Sequence, residues 1–390
     1  MSDFKNRLRG LMAEMHASVE SAITTDLVRM LMAEISSRPA PSSAASAFRG
    51  PLLRDLLGRY APNAHDLALD LDLAGTGSAA ILTGPNEEKP LWYLGHLDTI
   101  SYLVHPRIAD RYPLVPYCYH LMQDGERQGS AWRYDLAVGR YVSVATGVIV
   151  TEEGKASFLP EEGAQALRTG DRVVFDITYE EEPNGTCFAH VDNAGAVAAL
   201  MAAAPVLAGL GVDALLGFPD EEEGPAADGS QSMGRGGSRL AHALPKPELA
   251  VIVDVQQGGG EADADNRGGP ENTIRLGQGA VLSEFSSLGR GSVTPPHLYA
   301  LAIEFADIAA AEGVKVQVSN NAYTSRSDDI SIMLHTSNTL LLGFAGFNRH
   351  FDRGLPRANI HDITDLAKSL VYVAAIRPVL KDLTKELLEG

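Results

Sequence analysis

Cysteine is nearly absent: the chain has two, Cys118 and Cys187, far apart in 390 residues. That excludes a disulfide framework and a cysteine-built zinc site. Basic charge is also scarce, with 32 Lys and Arg against 50 Asp and Glu, a formal net charge of -18. Such a surface disfavours nucleic acid and anionic membranes, so neither is expected as a partner. Long hydrophobic runs are lacking too, apart from the uncharged stretch from Ala194 to Gly211. That stretch is rich in Ala and Gly rather than Leu and Ile, and it begins just after an aspartate. It predicts a small-residue helix packed closely in a core, not a membrane span. The N-terminus, Met1-Ser2-Asp3-Phe4-Lys5, carries an early acid and no apolar signal-peptide core, which predicts a cytoplasmic protein. Asn184-Gly185-Thr186 matches a glycosylation pattern that carries no meaning in that compartment.

The remaining composition, 45% hydrophobic and 21% charged, is that of a globular protein long enough for a large core and two domains. Helical periodicity runs from 17 to 36 through Val19, Ile23, Leu27, Leu31 and Ile35. A Ser/Pro/Ala loop follows, then a second helix from Phe48 to Tyr60 and a strand with one wet face from Leu67 to Leu73. Leu91 to Leu94 reads as an inner strand. Between about Ser101 and Glu182 the texture becomes all-β. Tyr141 to Thr151 alternates, Glu152-Glu153-Gly154 reads as a hairpin turn, and Arg172 to Tyr179 is another β run. Strands and helices then alternate to the end: the Ala-rich helix, strands at 214–218, 249–253, 314–318 and 339–344, a helix from Pro296 to Glu312 and a final helix from Ile363 to Leu380. Residues 224–238 and 258–269 read as glycine-rich loops. The expected fold class is α/β, a mostly parallel sheet flanked by helices with an inserted small β-barrel domain. The catalytic domain is expected over 1–100 and 187–390 and the β-barrel insert over 101–186.

Several acids and histidines fall where such a sheet binds ligands, outside the carboxyl ends of its strands. Asp220-Glu221-Glu222-Glu223-Gly224 follows the apolar run Ala214 to Phe218. Adjacent carboxylates repel unless a cation compensates them, so this is either a solvated acidic turn or a metal site, with one carboxylate as ligand and its neighbour as general base. His96 and Asp98 end the strand Leu91–Leu94 in Gly95-His96-Leu97-Asp98-Thr99. A histidine there can ligate through one nitrogen while the aspartate fixes the loop or orients a ring. Asp192 stands at the start of the Ala-rich helix, where it serves as N-cap, as ligand, or as both. His190 beside it reads as structural. Asp254 ends a strand, and His361 ends an irregular loop before the last helix. Two histidines, three carboxylates and a spare carboxylate suit a two-metal hydrolytic centre in which a glutamate takes a proton from water.

Taken in order, Gly95-His96-Leu97-Asp98, Asp192-Asn193-Ala194-Gly195, Glu221-Glu222-Glu223-Gly224, Val253-Asp254-Val255 and His361 resemble the motifs of the co-catalytic zinc aminopeptidases, and within them the glutamyl or tetrahedral aminopeptidase family. The resemblance runs from about residue 20 to the C-terminus, and a β segment between His96 and Asp192 is similar to that family's small β-barrel domain. It implies a dinuclear metallo-aminopeptidase, homo-oligomeric, acting on peptide substrates with two divalent ions per chain (Zn, or Co or Mn). His96, Asp192 and Asp254 are implied for one metal, and Asp192, Glu222 and His361 for the second. Glu221 is implied as general base, with Asp98 supporting the site. Water would attack the first peptide carbonyl. The chain departs from the family at Val191-Asp192-Asn193, where an arginine is missing. It also carries a longer polar region before the last histidine, so His350 competes with His361 for the last ligand position. Ser325 to Asp329 sits at a substrate-side loop of the family and receives no role. The alternatives are a metal-dependent deacylase or carboxypeptidase of the related family, and a non-catalytic scaffold of the same fold.

Overall fold

The structure, a computed structural model of the chain, describes residues 2–162, 164–224, 233–260 and 271–389. The expected loops at 224–238 and 258–269 therefore lie largely outside the described residues. Among those residues a twelve-stranded sheet forms the body. Its middle is parallel: Ala214–Phe218, Leu91–Leu94, Leu249–Ile252 and Thr339–Phe347 lie side by side in that order. All four strands are fully buried, as continuous apolar runs covered on both faces must be. Parallel and antiparallel strands complete the sheet, including Ala79–Thr83, antiparallel to Ala214–Phe218 and absent from the sequence reading.

The small-residue helix Val191–Gly209 packs on this sheet and is buried along almost its whole length. It is long and apolar enough to cross a membrane by composition, yet its surface is enclosed by the core. Its glycine explains how close it comes: a Cβ on Gly195 would lie 2.4 Å from Cζ of Phe344. The helical pattern at 17–36 is two helices, Ser2–Ala22 and Thr25–Ser36. The second starts afresh because the Thr24 hydroxyl accepts from the Leu27 amide at 3.1 Å. The last helical stretch likewise divides, into Ile360–Val373 and Ile376–Glu389.

Six strands between Ser101 and Phe175 close into a barrel. Its core is separate from that of the sheet body and is built from residues such as Tyr102, Phe158, Val173 and Phe175. The turn Glu153-Gly154 has positive φ at both residues, which lets it join its long strand pair tightly. Phe351, from the main body, joins this second core and stacks on Phe175 at 4.3 Å between ring centres.

Candidate metal centre

Each of the middle strands delivers polar groups to one edge of the sheet. His96 follows Leu91–Leu94, Glu222 and Glu223 follow Ala214–Phe218, and Asp254 follows Leu249–Ile252. His350 follows Thr339–Phe347, and Asp192 enters from the start of the buried helix. All six are buried.

His96 is the hub. Its Nε2 lies 3.0 Å from Oδ1 of Asp192 and 3.8 Å from carboxylate oxygens of both Glu222 and Asp254. Its Nδ1 lies 3.0 Å from the Asp98 carbonyl oxygen, which leaves Nε2 free to face the carboxylates. Asp98 is fully buried. It accepts from the Ser42 hydroxyl at 2.6 Å and from the amides of Glu222 and Glu223 at 3.1 and 3.3 Å. It thereby pins the acidic turn to the His96 loop. On the other side of Asp192, Nε2 of His350 lies 3.3 Å from both Asp192 Oδ2 and Glu223 Oε2.

The carboxylates are costly where they stand. Burial pushes the Glu222 carboxyl well above its ordinary range, with Asp254 and Glu223 adding to the shift against the opposing His96. Burial also raises Glu223. Burial opposes protonation of His96, but Glu222, Asp192, Asp254 and Asp98 outweigh it and hold the ring well above the histidine range. Burial likewise opposes protonation of His350, which Glu223 and Asp192 push up to about 9. Asp192 goes the other way. Burial works against its ionisation, but Arg349, His350 and His96 together hold it well below the usual range. So many acids gathered out of water call for cations.

The residues fit divalent ions. His96, Glu222 and Asp254 offer ligand atoms within 4.8 Å of one another, and so do His96, Asp192 and Glu223. Nε2 of His350 and one oxygen of Glu223 are buried without a hydrogen-bond partner. Imidazole and carboxylate donors suit Zn, Co or Mn.

Two residues singled out in the sequence stand apart from this cluster. Glu221 takes a left-handed conformation, with φ of 69°, so its side chain leaves the turn on the opposite side from Glu222. There it accepts from the Tyr117 hydroxyl at 2.5 Å and from Arg239 and Arg235 at 3.0 and 3.4 Å. Two guanidinium groups and a phenol therefore surround this carboxylate. His361 is exposed, on the first turn of Ile360–Val373, beside Gly185 rather than among the acids. The loop before it runs back as the short strand Arg357–Asn359, which carries His361 away from the edge where His350 already stands. Asp192 lies at its helix start, but its oxygens face His96, Arg349 and His350 rather than capping amides. His190 is a buried neighbour that pairs its ring with the Phe175 carbonyl at 3.0 Å.

Sequence reasoning missed Glu223 as a member of the cluster, and it missed Arg349, whose Nη1 lies 2.9 Å from Asp192 Oδ2. Spacing carried no signal for either. In a run of three glutamates only the backbone conformation decides which face inward. Asp328 was noted without a role. It is fully buried, neither of its oxygens has a partner, and burial pushes its carboxyl up to about 7.

No family model and no curated protein matches the chain. Solved structures do. An aminopeptidase from the archaeon Desulfurococcus kamchatkensis is 18% identical, with a TM-score of 0.68 over 89% of this chain and 95% of that one. A TET aminopeptidase from a marine-sediment Thaumarchaeota archaeon is 15% identical, with a TM-score of 0.68 over 91% and 99%. The TET1 peptidase of Pyrococcus horikoshii, which can assemble into a tetrahedron or a large octahedral shell, is 16% identical, with a TM-score of 0.64 over 89% and 99%. Sheet, helices and barrel together thus give this chain the fold of the TET aminopeptidases.

Proposed function

We propose that this chain is a dinuclear metal-dependent aminopeptidase that hydrolyses the N-terminal residue from peptides. The observation that carries the reading is the convergence of His96, Asp192, Glu222, Glu223, Asp254 and His350 on one sheet edge, buried and rich in carboxylate. The fold shared with peptidases supports the same class.

In this reading His96, Asp192 and Asp254 hold one divalent ion, and Asp192, Glu223 and His350 hold the second. Divalent ions held by these residues would supply Lewis-acid polarisation of the scissile carbonyl and a more acidic water. Glu222 is the general base. Its carboxylate lies 3.8 Å from Nε2 of His96, beside the positions assigned to the ions, where a group that accepts a proton from water and returns it to the leaving amine must stand. Asp98 is a positioning residue: by accepting the amides of Glu222 and Glu223 it sets how far both side chains reach toward His96. The base and last ligand are thus Glu222 and His350, in place of the Glu221 and His361 implied by family resemblance. Glu221, in turn, braces the turn through Tyr117 and Arg239. A homo-oligomer is part of the proposal, supported by the assemblies of the P. horikoshii peptidase.

The test is metal content of protein purified without chelator, alongside amino-acid release from paired free and N-acetylated peptides. About two ions per chain with release from free peptides alone is expected. Turnover of the blocked peptides alone would instead identify a deacylase, and no metal uptake would leave only the fold.

A further inference from the structure

The two oxygens of Asp192 face unlike surroundings. Oδ1 faces Nε2 of His96 at 3.0 Å, a ring that becomes a neutral ligand by losing a proton. Oδ2 faces Nη1 of Arg349 at 2.9 Å and Nε2 of His350 at 3.3 Å. A guanidinium stays charged throughout the physiological range and cannot step aside by deprotonation. Arg349 is held in place: its side chain is 16% exposed, and it is the chain neighbour of His350.

We infer that Arg349 makes the two metal positions unequal, by occupying with a fixed positive charge the oxygen of Asp192 that the His350–Glu223 position must share. This rests on the dinuclear reading proposed above. An ion at the His96–Asp254 position meets imidazole and carboxylate donors, and Oδ1 of Asp192 faces His96 rather than the guanidinium. An ion at the His350–Glu223 position must share Oδ2 with the guanidinium or displace it, against like-charge repulsion at short range. Loading is therefore sequential, and the second ion is the weakly held one. Arg349 acts on the centre through Asp192 and is a positioning residue rather than a catalytic one.

The test is a cobalt(II) titration of the chelator-stripped full-length protein, followed by calorimetry and by visible absorption of the bound ion. Wild type should bind its second equivalent at least tenfold more weakly than the first. Arg349→Gln removes the charge but can still donate to Asp192. It should tighten the second equivalent by roughly tenfold or more, the scale of one charge at contact distance, and tighten the first by less. Arg349→Lys, which keeps the charge, should preserve the gap. Two equal affinities in wild type overturn the inference without any variant. So does an Arg349→Gln protein, folded by circular dichroism, whose second equivalent is no tighter or is weaker. Failure of wild type to bind any cobalt would sink the dinuclear reading itself, a result distinct from two equal sites.

Discussion

Nδ1 of His350 lies 2.7 Å from the carbonyl oxygen of Tyr119, a residue of the barrel segment just beyond the strand Tyr112–Tyr117. With Nδ1–H donating to that carbonyl, Nε2 is left to face Asp192 and Glu223. Two further ties hold the same loop to the barrel, the Gln123 amide donating to the Asp352 carbonyl at 2.9 Å and Phe351 stacking on Phe175. His350→Ala should therefore lower bound metal by about one equivalent per chain, whereas His361→Ala should retain the wild-type content. Metal analysis of the two purified variants decides between the histidines, and wild-type metal content in His350→Ala would remove His350 from the proposed site.

Glu221 and Glu222 are chain neighbours with opposite surroundings, and substitution should separate them. Glu222→Gln removes the proposed base and should lower turnover by roughly a hundredfold to ten-thousandfold, the usual worth of general base catalysis, with metal still bound. Glu221→Gln exchanges a charged anchor for a neutral one and should leave turnover within a few-fold of wild type, at some cost in stability. Steady-state rates on one free peptide, with metal content measured on the same samples, give the answer. An inactive Glu221→Gln beside an active Glu222→Gln would restore the role implied by resemblance.

Removing metal should destabilise the fold. Asp98, Asp192, Glu222, Glu223 and Asp254 lie together out of water, and bound cations relieve their mutual repulsion. An ion that binds only the folded state adds about 2.7 kcal/mol when free at a hundred times its Kd. Thermal unfolding should therefore move down by several degrees on chelation and recover when Zn, Co or Mn is restored. A melting temperature indifferent to chelator would show that the acids are stable without a cation.

Acid should weaken the barrel junction through His190. Burial, helped by Arg49, pushes its pKa down to about 4, although its bond to the Phe175 carbonyl acts in the opposite direction. The folded value lies below the ordinary one of about 6.5, so between the two the unfolded chain binds a proton that the folded chain refuses. Stability is then complete above about pH 6.5 and is lost as pH falls toward 4, by about 3 kcal/mol in total at 1.36 kcal/mol per unit. His190→Gln should flatten that part of the curve in urea unfolding of chelated protein at pH 7.5 and 5.0. An unchanged slope would mean that His190 does not set it. The ring also meets Phe351 edge-on at 5.5 Å, so the same acid limb reaches the loop that carries His350.

The layout of this protein was legible in its residues because buried parallel strands must be apolar runs, and polar groups that end such runs collect at one edge of the sheet. Leu91–Leu94 before His96, Ala214–Phe218 before the acidic turn and Leu249–Ile252 before Asp254 announced the strands and the polar groups that meet at their edge. The small-residue composition of 194–211 foretold a core helix, since only Ala and Gly permit the close approach seen at Gly195 and Phe344. Tertiary structure alone decided the rest. Which of three successive glutamates faces inward depends on one left-handed residue, Glu221, stabilised by Tyr117 and Arg239 from distant parts of the chain. Which late histidine reaches the site depends on a loop bolted to the barrel by Phe351 and Tyr119, contacts that local sequence does not encode. Arg349 met Asp192 for the same reason: a charge pair across 157 positions is made by packing, and no spacing rule anticipates it.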